Sequence, residues 1–196
     1  MRMGAFDDRQ QFSDEIFSRL TVGGENVAGK IFEKCTFEKC RLLECVFTGC
    51  KFVDCTFTNS MLSAVKFVDC SFLETSFSDS KAIGIDWTKA ANLRGLNFSK
   101  CDVTLSNFAF LKLPGFVLKD STAKEASFLE ADCTNANMEG SDFESCTFSH
   151  TNLTGADFRH AFNYSIDFNH NVLKKTKFSM PEAASLLQGL DILIEA

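Results

Sequence analysis

The 196-residue sequence has very little of several residue types: it contains two prolines, one tryptophan, one tyrosine and three histidines. So few prolines argue against a loop-rich or disordered chain. No window holds the roughly 18 consecutive apolar residues that a membrane span needs, and residues 1–11 lack the apolar core of a signal peptide. A net charge of −6 argues against direct binding to nucleic acid but suits a basic protein partner. We therefore expect a cytoplasmic protein that contacts neither membrane nor nucleic acid.

The sequence also lacks the motifs that carry catalysis or cofactor binding. It has no nucleophile elbow, phosphate-binding loop, zinc-protease helix or dinucleotide fingerprint. The nine cysteines never form the paired C-x2-C spacing of a zinc site. His150 and His170 should share one face, but no third metal ligand accompanies them. We expect no catalytic residue, no metal site and no cofactor, and hence a protein that is not an enzyme.

What the sequence does contain is a large apolar residue at every fifth position. The first run consists of Val27, Phe32, Phe37, Leu42, Phe47, Phe52, Phe57, Leu62, Phe67, Phe72, Phe77, Ala82 and Trp87. The series then slips by one residue, resumes at Leu93 and continues to Phe178. If Phe12 and Phe17 are counted, all but four of the 22 phenylalanines lie on this series.

A second series, of small residues, lies two positions before each large one. It contains most of the cysteines, for example Cys35, Cys40 and Cys45, and later Ala126, Ala131 and similar residues. A period of five fits neither a strand nor an α-helix. Two inward residues in every five, one large and one small, indicate a chain that turns a corner at each repeat. The cysteines are then packing residues rather than ligands.

This pattern resembles the pentapeptide-repeat family, whose unit is a small residue, Asp or Asn, Leu or Phe, and two variable positions. The run from Thr151 to Phe158 matches it most cleanly. The resemblance implies an all-β fold, a right-handed quadrilateral β-helix with four repeats per coil, so residues twenty apart should stack. One aromatic column would then contain Phe47, Phe67, Trp87, Phe108, Phe128, Phe148 and Phe168. A mixed column would contain Leu42, Leu62, Ala82, Val103, Ala123, Phe143 and Asn163.

The register of the five-residue repeat divides the chain into three segments. Residues 1–26 fit the repeat weakly, with Gln10 and Glu15 where small residues belong, so we expect an irregular N-terminal coil or cap. Residues 27–178 form the β-helix, and the slip leaves one extra residue within 88–92. We expect a bulge there, or simply a tolerated insertion. Residues 179–196 form the C-terminal segment.

The C-terminal segment predicts a short α-helix followed by a strand. Ser179 and Glu182 have the spacing of a capping box, and Pro181 suits a first helical turn. The segment either covers the last coil or forms the interface of a homodimer, as in gyrase-protecting relatives of the family. The candidate interface residues are Ala183, Leu186, Leu187, Leu190, Ile192 and Ile194.

Charge is distributed unevenly when the repeat residues are sorted by side. The side of the aromatic column carries Asp69, Asp86, Glu130 and Asp167 against two lysines. The side of the mixed column carries Glu44, Asp102, Glu125, Asp142 and Glu144 against three basic residues, and the side of Phe32 and Phe52 is basic. We expect these nine carboxylates to form a partner-binding surface, although an ordinary solvated surface could share the same distribution.

Within the family, the sequence resembles most the albicidin-resistance member and the Qnr and MfpA group, which protect gyrase. The matching segments are Asn163–Tyr164, Ile166–Asp167, Phe178–Leu187 and Gly84–Trp87. The resemblance implies a dimeric DNA mimic that occupies the DNA-binding surface of a type II topoisomerase, DNA gyrase, and relieves a gyrase poison. The alternative is a structural or regulatory scaffold for protein–protein interaction that is unrelated to gyrase.

Overall fold

Each repeat forms one straight edge of a coil, because its large and small apolar residues point inward and the residue two after the large one turns the chain. That turning residue has a left-handed backbone, with φ of 51° at Lys34, 54° at Glu44 and 53° at Asp54. In the computed structural model, which describes residues 6, 8–190 and 192, about eight such coils stack into a parallel β-helix.

The strands are short and occur mainly in the first half of the chain. Those before the slip are β1 (Gln11–Ser13), β2 (Ile16–Ser18), β3 (Thr21–Gly23), β4 (Asn26–Ala28), β5 (Ile31–Glu33), β6 (Thr36–Glu38), β7 (Arg41–Leu43), β8 (Val46–Thr48), β9 (Lys51–Val53), β10 (Thr56–Thr58), β11 (Met61–Ser63), β12 (Lys66–Val68), β13 (Ser71–Leu73) and β14 (Ser76–Ser78). Those after it are β15 (Asn92–Arg94), β16 (Asn97–Ser99), β17 (Val117–Lys119), β18 (Asp157–Phe158) and β19 (Lys177–Phe178).

Parallel pairing between coils defines four sides. Side A contains β1, β5, β9, β13 and β15, and side B contains β2, β6, β10, β14, β16 and β17. Side C contains β3, β7 and β11, and side D contains β4, β8 and β12. The register is twenty residues per coil, as in the pairs of Phe32 with Phe52 and of Phe47 with Phe67. Isolated bridges continue the same sides toward the C-terminus.

The register changes from twenty residues to twenty-one where the slip occurs. Phe72 pairs with Leu93, and Phe77 pairs with Phe98. On side D a 3₁₀ helix, Trp87–Lys89, replaces the strand, and the Cys70 carbonyl accepts hydrogen bonds from the N–H groups of both Ala91 (2.8 Å) and Asn92 (3.4 Å). The extra residue therefore forms a local bulge. It separates an N-terminal stack (11–89) from a C-terminal stack (92–178).

Stacked phenylalanine rings fill the N-terminal stack. The ring centroids of Phe37 and Phe57 are 4.4 Å apart, and those of Phe57 and Phe77 are 4.7 Å apart. All nine cysteines are buried and free. Eight of them fill small inward positions, as when Cys55 Sγ donates to the Phe32 carbonyl at 3.3 Å, and Cys133 fills a large one. At about 1.5–3 kcal/mol per buried Phe, these columns supply much of the driving force for folding.

The N-terminal segment is more regular than its sequence indicates. Strands begin at Gln11 and pair in register with the next coil, so the expectation of an irregular segment over 1–26 does not hold for 11–26. Phe12 and Val22 are buried at the large inward positions. Glu15 is tolerated at a small position because it is only partly buried and its carboxylate pairs with the Arg9 guanidinium at 2.6 Å.

The last coil departs from the predicted columns. Asn163 and Phe168 do not point inward: Asn163 is exposed and Phe168 is 38% exposed. Tyr164 and Ile166 are buried in their place, and the Tyr164 ring lies 5.9 Å from that of Phe158. The aromatic column therefore ends at Phe148. Asn163 has a left-handed backbone, with φ of 58°, and the next residue, Tyr164, packs against the core, while the register of twenty holds on either side, as in the pair of Asn152 with Val172.

The C-terminal helix, Glu182–Gly189, is a 3₁₀ helix rather than the predicted α-helix. The predicted capping box is also wrong: the Ser179 hydroxyl accepts a hydrogen bond from the His160 N–H (2.8 Å), and no side chain caps the helix. Without a cap, the terminal turns tighten to bonds three residues apart, such as Ala184 N–H to the Pro181 carbonyl. The strand predicted after it lies largely outside the described residues.

Candidate interaction surface

The nine predicted carboxylates differ in how far hydrogen bonds within the chain engage their side chains. Asp86, Asp102 and Asp142 each precede a large inward residue, and Asp167 holds the same place in its repeat, before Phe168. Each side chain accepts the backbone N–H two residues on, at 3.2, 3.1, 3.2 and 2.8 Å respectively. Such Asx turns fix the local backbone. The first role of these four aspartates is therefore to stabilise the turn that follows them.

Asp142 is the clearest example of this structural role. Its side chain is only 12% exposed, and its carboxylate also accepts a hydrogen bond from Asn163 Nδ2 (2.8 Å) and lies 3.3 Å from Lys124 Nζ. Glu144 pairs with the same lysine at 2.6 Å, and this hydrogen bond raises the pKa of Lys124. Asp142 and Glu144 are consequently poorer candidates for partner contact than the sequence indicated.

The other four carboxylates, Glu44, Asp69, Glu125 and Glu130, occupy turns and are exposed. Within the described part of the chain, no hydrogen bond or ion pair engages their side chains. Glu44 and Glu125 lie in the turn from side C to side D. Asp69 and Glu130 lie in the turn from side D to side A. The exposed carboxylates of the predicted surface thus lie along the two edges of side D rather than over two whole sides.

Side D also carries an apolar depression at the bulge. A cavity of about 410 Å³ lies between β12 and the 3₁₀ helix, and its lining includes Ala64, Phe67 and Gly84, with Lys66 and Lys89. The cavity exists because the one-residue slip replaces the next strand of this side with the 3₁₀ helix. Side D therefore combines free carboxylates at its edges with accessible apolar surface between them.

Two residues at the same edges were missed by the sequence reasoning. Leu105 lies in the turn from side C to side D, and Phe110 lies in the turn from side D to side A. They are 56% and 63% exposed. A signal was present, since the position two after the large residue is glycine or polar in most repeats.

The predicted dimer residues separate into covered and exposed ones. Leu186 packs against the last coil, and Ala183 is half-buried. Leu187, Leu190 and Ile192 are 40%, 41% and 53% exposed. Ile194 lies outside the described residues. Three of the six residues are thus apolar side chains that the coil beneath them does not cover.

The described residues give little support to metal binding, thiol chemistry or a membrane span. No group of three His, Cys, Asp or Glu could hold a metal ion there, and His150 and His170 stack with ring centroids 5.8 Å apart. Burial raises the pKa of Cys55 and Cys146 to about 12, which keeps these thiols protonated and unreactive. None of the described helices is long and apolar enough to cross a membrane.

Comparison with family models gives two matches. A model described as "Pentapeptide repeat region" matches residues 30–108, and one described as "Pentapeptide repeats (8 copies)" matches residues 126–162. The first match spans the bulge, and together the two matches include repeats from both stacks. No curated protein sequence matches the chain significantly.

Several solved structures are similar along most of their length. A trypsin-treated form of QnrB1, "a plasmid-mediated fluoroquinolone resistance protein", is 20% identical, with a TM-score of 0.45 over 95% of this chain and 99% of that one. HetL, "involved in Heterocyst Differentiation Regulation" in a cyanobacterial Nostoc strain, is 12% identical, with a TM-score of 0.39 over 87% of this chain and 90% of that one. At these values no functional argument rests on the likeness.

Proposed function

Since the chain belongs to the pentapeptide-repeat family, we propose that it is a non-enzymatic DNA mimic that binds a type II topoisomerase, DNA gyrase, and protects it against a gyrase-poisoning antibiotic. Protection requires no covalent step. A rod that occupies the DNA-binding surface of the enzyme lowers the number of enzyme–DNA complexes that a poison can trap. The protein would act in the cytoplasm, and the poison could be of the albicidin or the quinolone type.

The observation that carries this proposal is the pair of acidic edges on side D. Glu44, Asp69, Glu125 and Glu130 are exposed and without partners among the described residues. The two edges are separated by one repeat side, about 10 Å, and successive coils rise by about 4.8 Å. Each edge carries two of these carboxylates, four coils apart on one edge and three coils apart on the other. They place negative charge along two lines whose separation is comparable to the width of the B-DNA major groove, about 12 Å.

Electrostatics would then guide the rod to a surface built to hold DNA. A basic saddle attracts carboxylates as it attracts phosphates, and complementary charge accelerates encounter at low salt. Unlike DNA, the rod offers the enzyme no phosphodiester bond to cleave. It therefore competes with DNA without forming a cleavage complex.

The active unit in this proposal is a homodimer. Leu187, Leu190 and Ile192 form an exposed apolar strip beyond the last coil, and apolar surface of this kind commonly marks an interface. A two-fold dimer joined there would double the rod length to about 70–80 Å at 4.8 Å per coil. Light scattering at micromolar concentration should give twice the monomer mass. A monomer mass would remove the dimer from the proposal.

A drug-poisoning assay with purified gyrase tests the function. Wild-type protein should restore supercoiling in the presence of the poison, whereas Glu125→Lys/Glu130→Lys should lose most of this protection. The matched control is Asp14→Lys/Asp54→Lys, which reverses two exposed carboxylates at left-handed turns on the corner between sides A and B. The control should protect like the wild type. No effect of the wild type on gyrase at tens of micromolar would favour a scaffold unrelated to gyrase.

A further inference from the structure

Leu105 and Phe110 present large apolar side chains to solvent from the same coil. They are 56% and 63% exposed, whereas Val103 and Phe108, two positions earlier in each case, are fully buried. Neither Leu105 nor Phe110 belongs to the hydrophobic core or packs against it. The fold therefore gains no burial energy from either side chain.

Both residues also hold an unfavourable backbone conformation. Leu105 has φ of 61° and Phe110 has φ of 62°, in the left-handed region that bulky side chains rarely adopt. The turn positions stacked directly below them, Glu125 and Glu130, carry polar residues, and the one directly above Leu105 is Gly84. Strain and exposure at two consecutive turns indicate a role other than folding.

The two residues lie on the two edges of side D, and each has an exposed carboxylate in the next coil of the same edge. The Leu105 N–H bonds to the carbonyl before Glu125, and the Phe110 N–H bonds to the carbonyl before Glu130. On each edge of side D, an apolar side chain thus lies one coil from an unpaired carboxylate, about 4.8 Å along the rod. The apolar depression at the bulge opens on the same side, one coil above.

We propose that Leu105 and Phe110 are the two anchor residues, the side chains that contribute most of the energy with which the rod binds its topoisomerase. This inference rests on the proposed function. The anchors insert into apolar recesses of the enzyme's surface, and basic groups at the rims of those recesses pair with Glu125 and Glu130. Anchors that are aromatic or aliphatic and enclosed by polar contacts dominate binding energy at protein interfaces. Phosphates alone cannot supply such contacts, so the anchors distinguish this rod from DNA.

The test compares the binding of purified gyrase to wild-type protein and to Leu105→Asn/Phe110→Asn. Asparagine tolerates the left-handed region, so the double variant should melt at the same temperature as the wild type or above it. Its affinity for gyrase should nonetheless fall by at least about 30-fold, the effect of losing one strong anchor. The conservative variant Leu105→Met/Phe110→Tyr should keep affinity within about threefold of wild type.

A matched control removes exposed apolar area elsewhere. Ile16 and Val172 are 70% and 52% exposed on sides B and A, and Ile16→Thr/Val172→Thr should bind gyrase like the wild type. If wild-type protein binds gyrase and the Asn double variant binds equally well, the anchor proposal is wrong while the proposed function stands. If the wild type itself does not bind gyrase, both proposals fall.

Discussion

The N-terminal and C-terminal stacks build the same coil from different side chains. In the N-terminal stack, most large positions are phenylalanine, six small positions are cysteine, and three-residue strands form on all four sides. In the C-terminal stack, the large positions vary among Leu, Val, Ala, Cys, Met and Phe, and most strands shrink to isolated bridges.

The turns differ in the same way. C-terminal turns are closed by bonds between residues three apart, such as Ser106 N–H to the Val103 carbonyl at 3.1 Å. No such bond occurs among residues 11–80, all of which the structure describes. Asp or Asn before the large residue, as in Asp132 and Asn152, forms an Asx turn that favours this tight corner. Ring stacking therefore dominates one stack, and side-chain-capped turns dominate the other.

The largest effect should come from removing a stacked ring. Phe57→Ala leaves a cavity between Phe37 and Phe77 and should lower the free energy of unfolding by about 3–5 kcal/mol. Cys133→Ala, at a fully buried large position of the C-terminal stack, should cost about 1 kcal/mol. Urea denaturation measures both. Equal losses of unfolding free energy would show that a stacked ring in the N-terminal stack contributes no more to stability than the buried cysteine in the C-terminal stack.

A smaller effect is expected at the Asx turns. Asp132 Oδ1 accepts the Thr134 N–H (3.1 Å) and Asn152 Nδ2 (3.1 Å), so Asp132→Ala should cost about 1–2 kcal/mol. Lys51 occupies the equivalent position on side A of the N-terminal stack and is exposed. Lys51→Ala should change stability by less than about 0.5 kcal/mol. A neutral Asp132→Ala variant would show that these turns form without their side-chain caps.

Acid should weaken the C-terminal stack at Asp157. The Arg159 guanidinium, which hydrogen-bonds to Asp157, lowers the pKa of that carboxyl to about 2. Because this pKa is depressed, the stabilisation is complete above the ordinary aspartate value of about 3.9 and is lost as pH falls toward 2. Asp157→Asn should remove about 1 kcal/mol at pH 7 and flatten the unfolding free energy between pH 4 and 2. An unchanged pH profile in the variant would exclude Asp157 as a source of the acid sensitivity.

The sequence predicts the coils well because both inward series follow simple packing rules. The sequence reasoning fails at the two ends of the rod. Glu15 looks wrong for an inward position but pairs with Arg9 at 2.6 Å, and Phe168 looks right but is 38% exposed, while Ile166 is buried. Charge alone does not reveal that Asp142 closes an Asx turn, whereas its hydrogen bonds do. Leu105 and Phe110 stand out only in the structure, where their side-chain exposure and backbone φ can be compared with those of residues at other turns.

Competition with DNA tests the central claim most directly. Gyrase is bound to a fluorescent DNA duplex, and anisotropy is followed as the protein is added. A DNA mimic should displace the duplex completely, with an apparent affinity that falls as the DNA concentration rises. Glu125→Lys/Glu130→Lys should fail to displace it. A complex that contains gyrase, duplex and protein together, with no loss of bound DNA at saturation, would contradict the account.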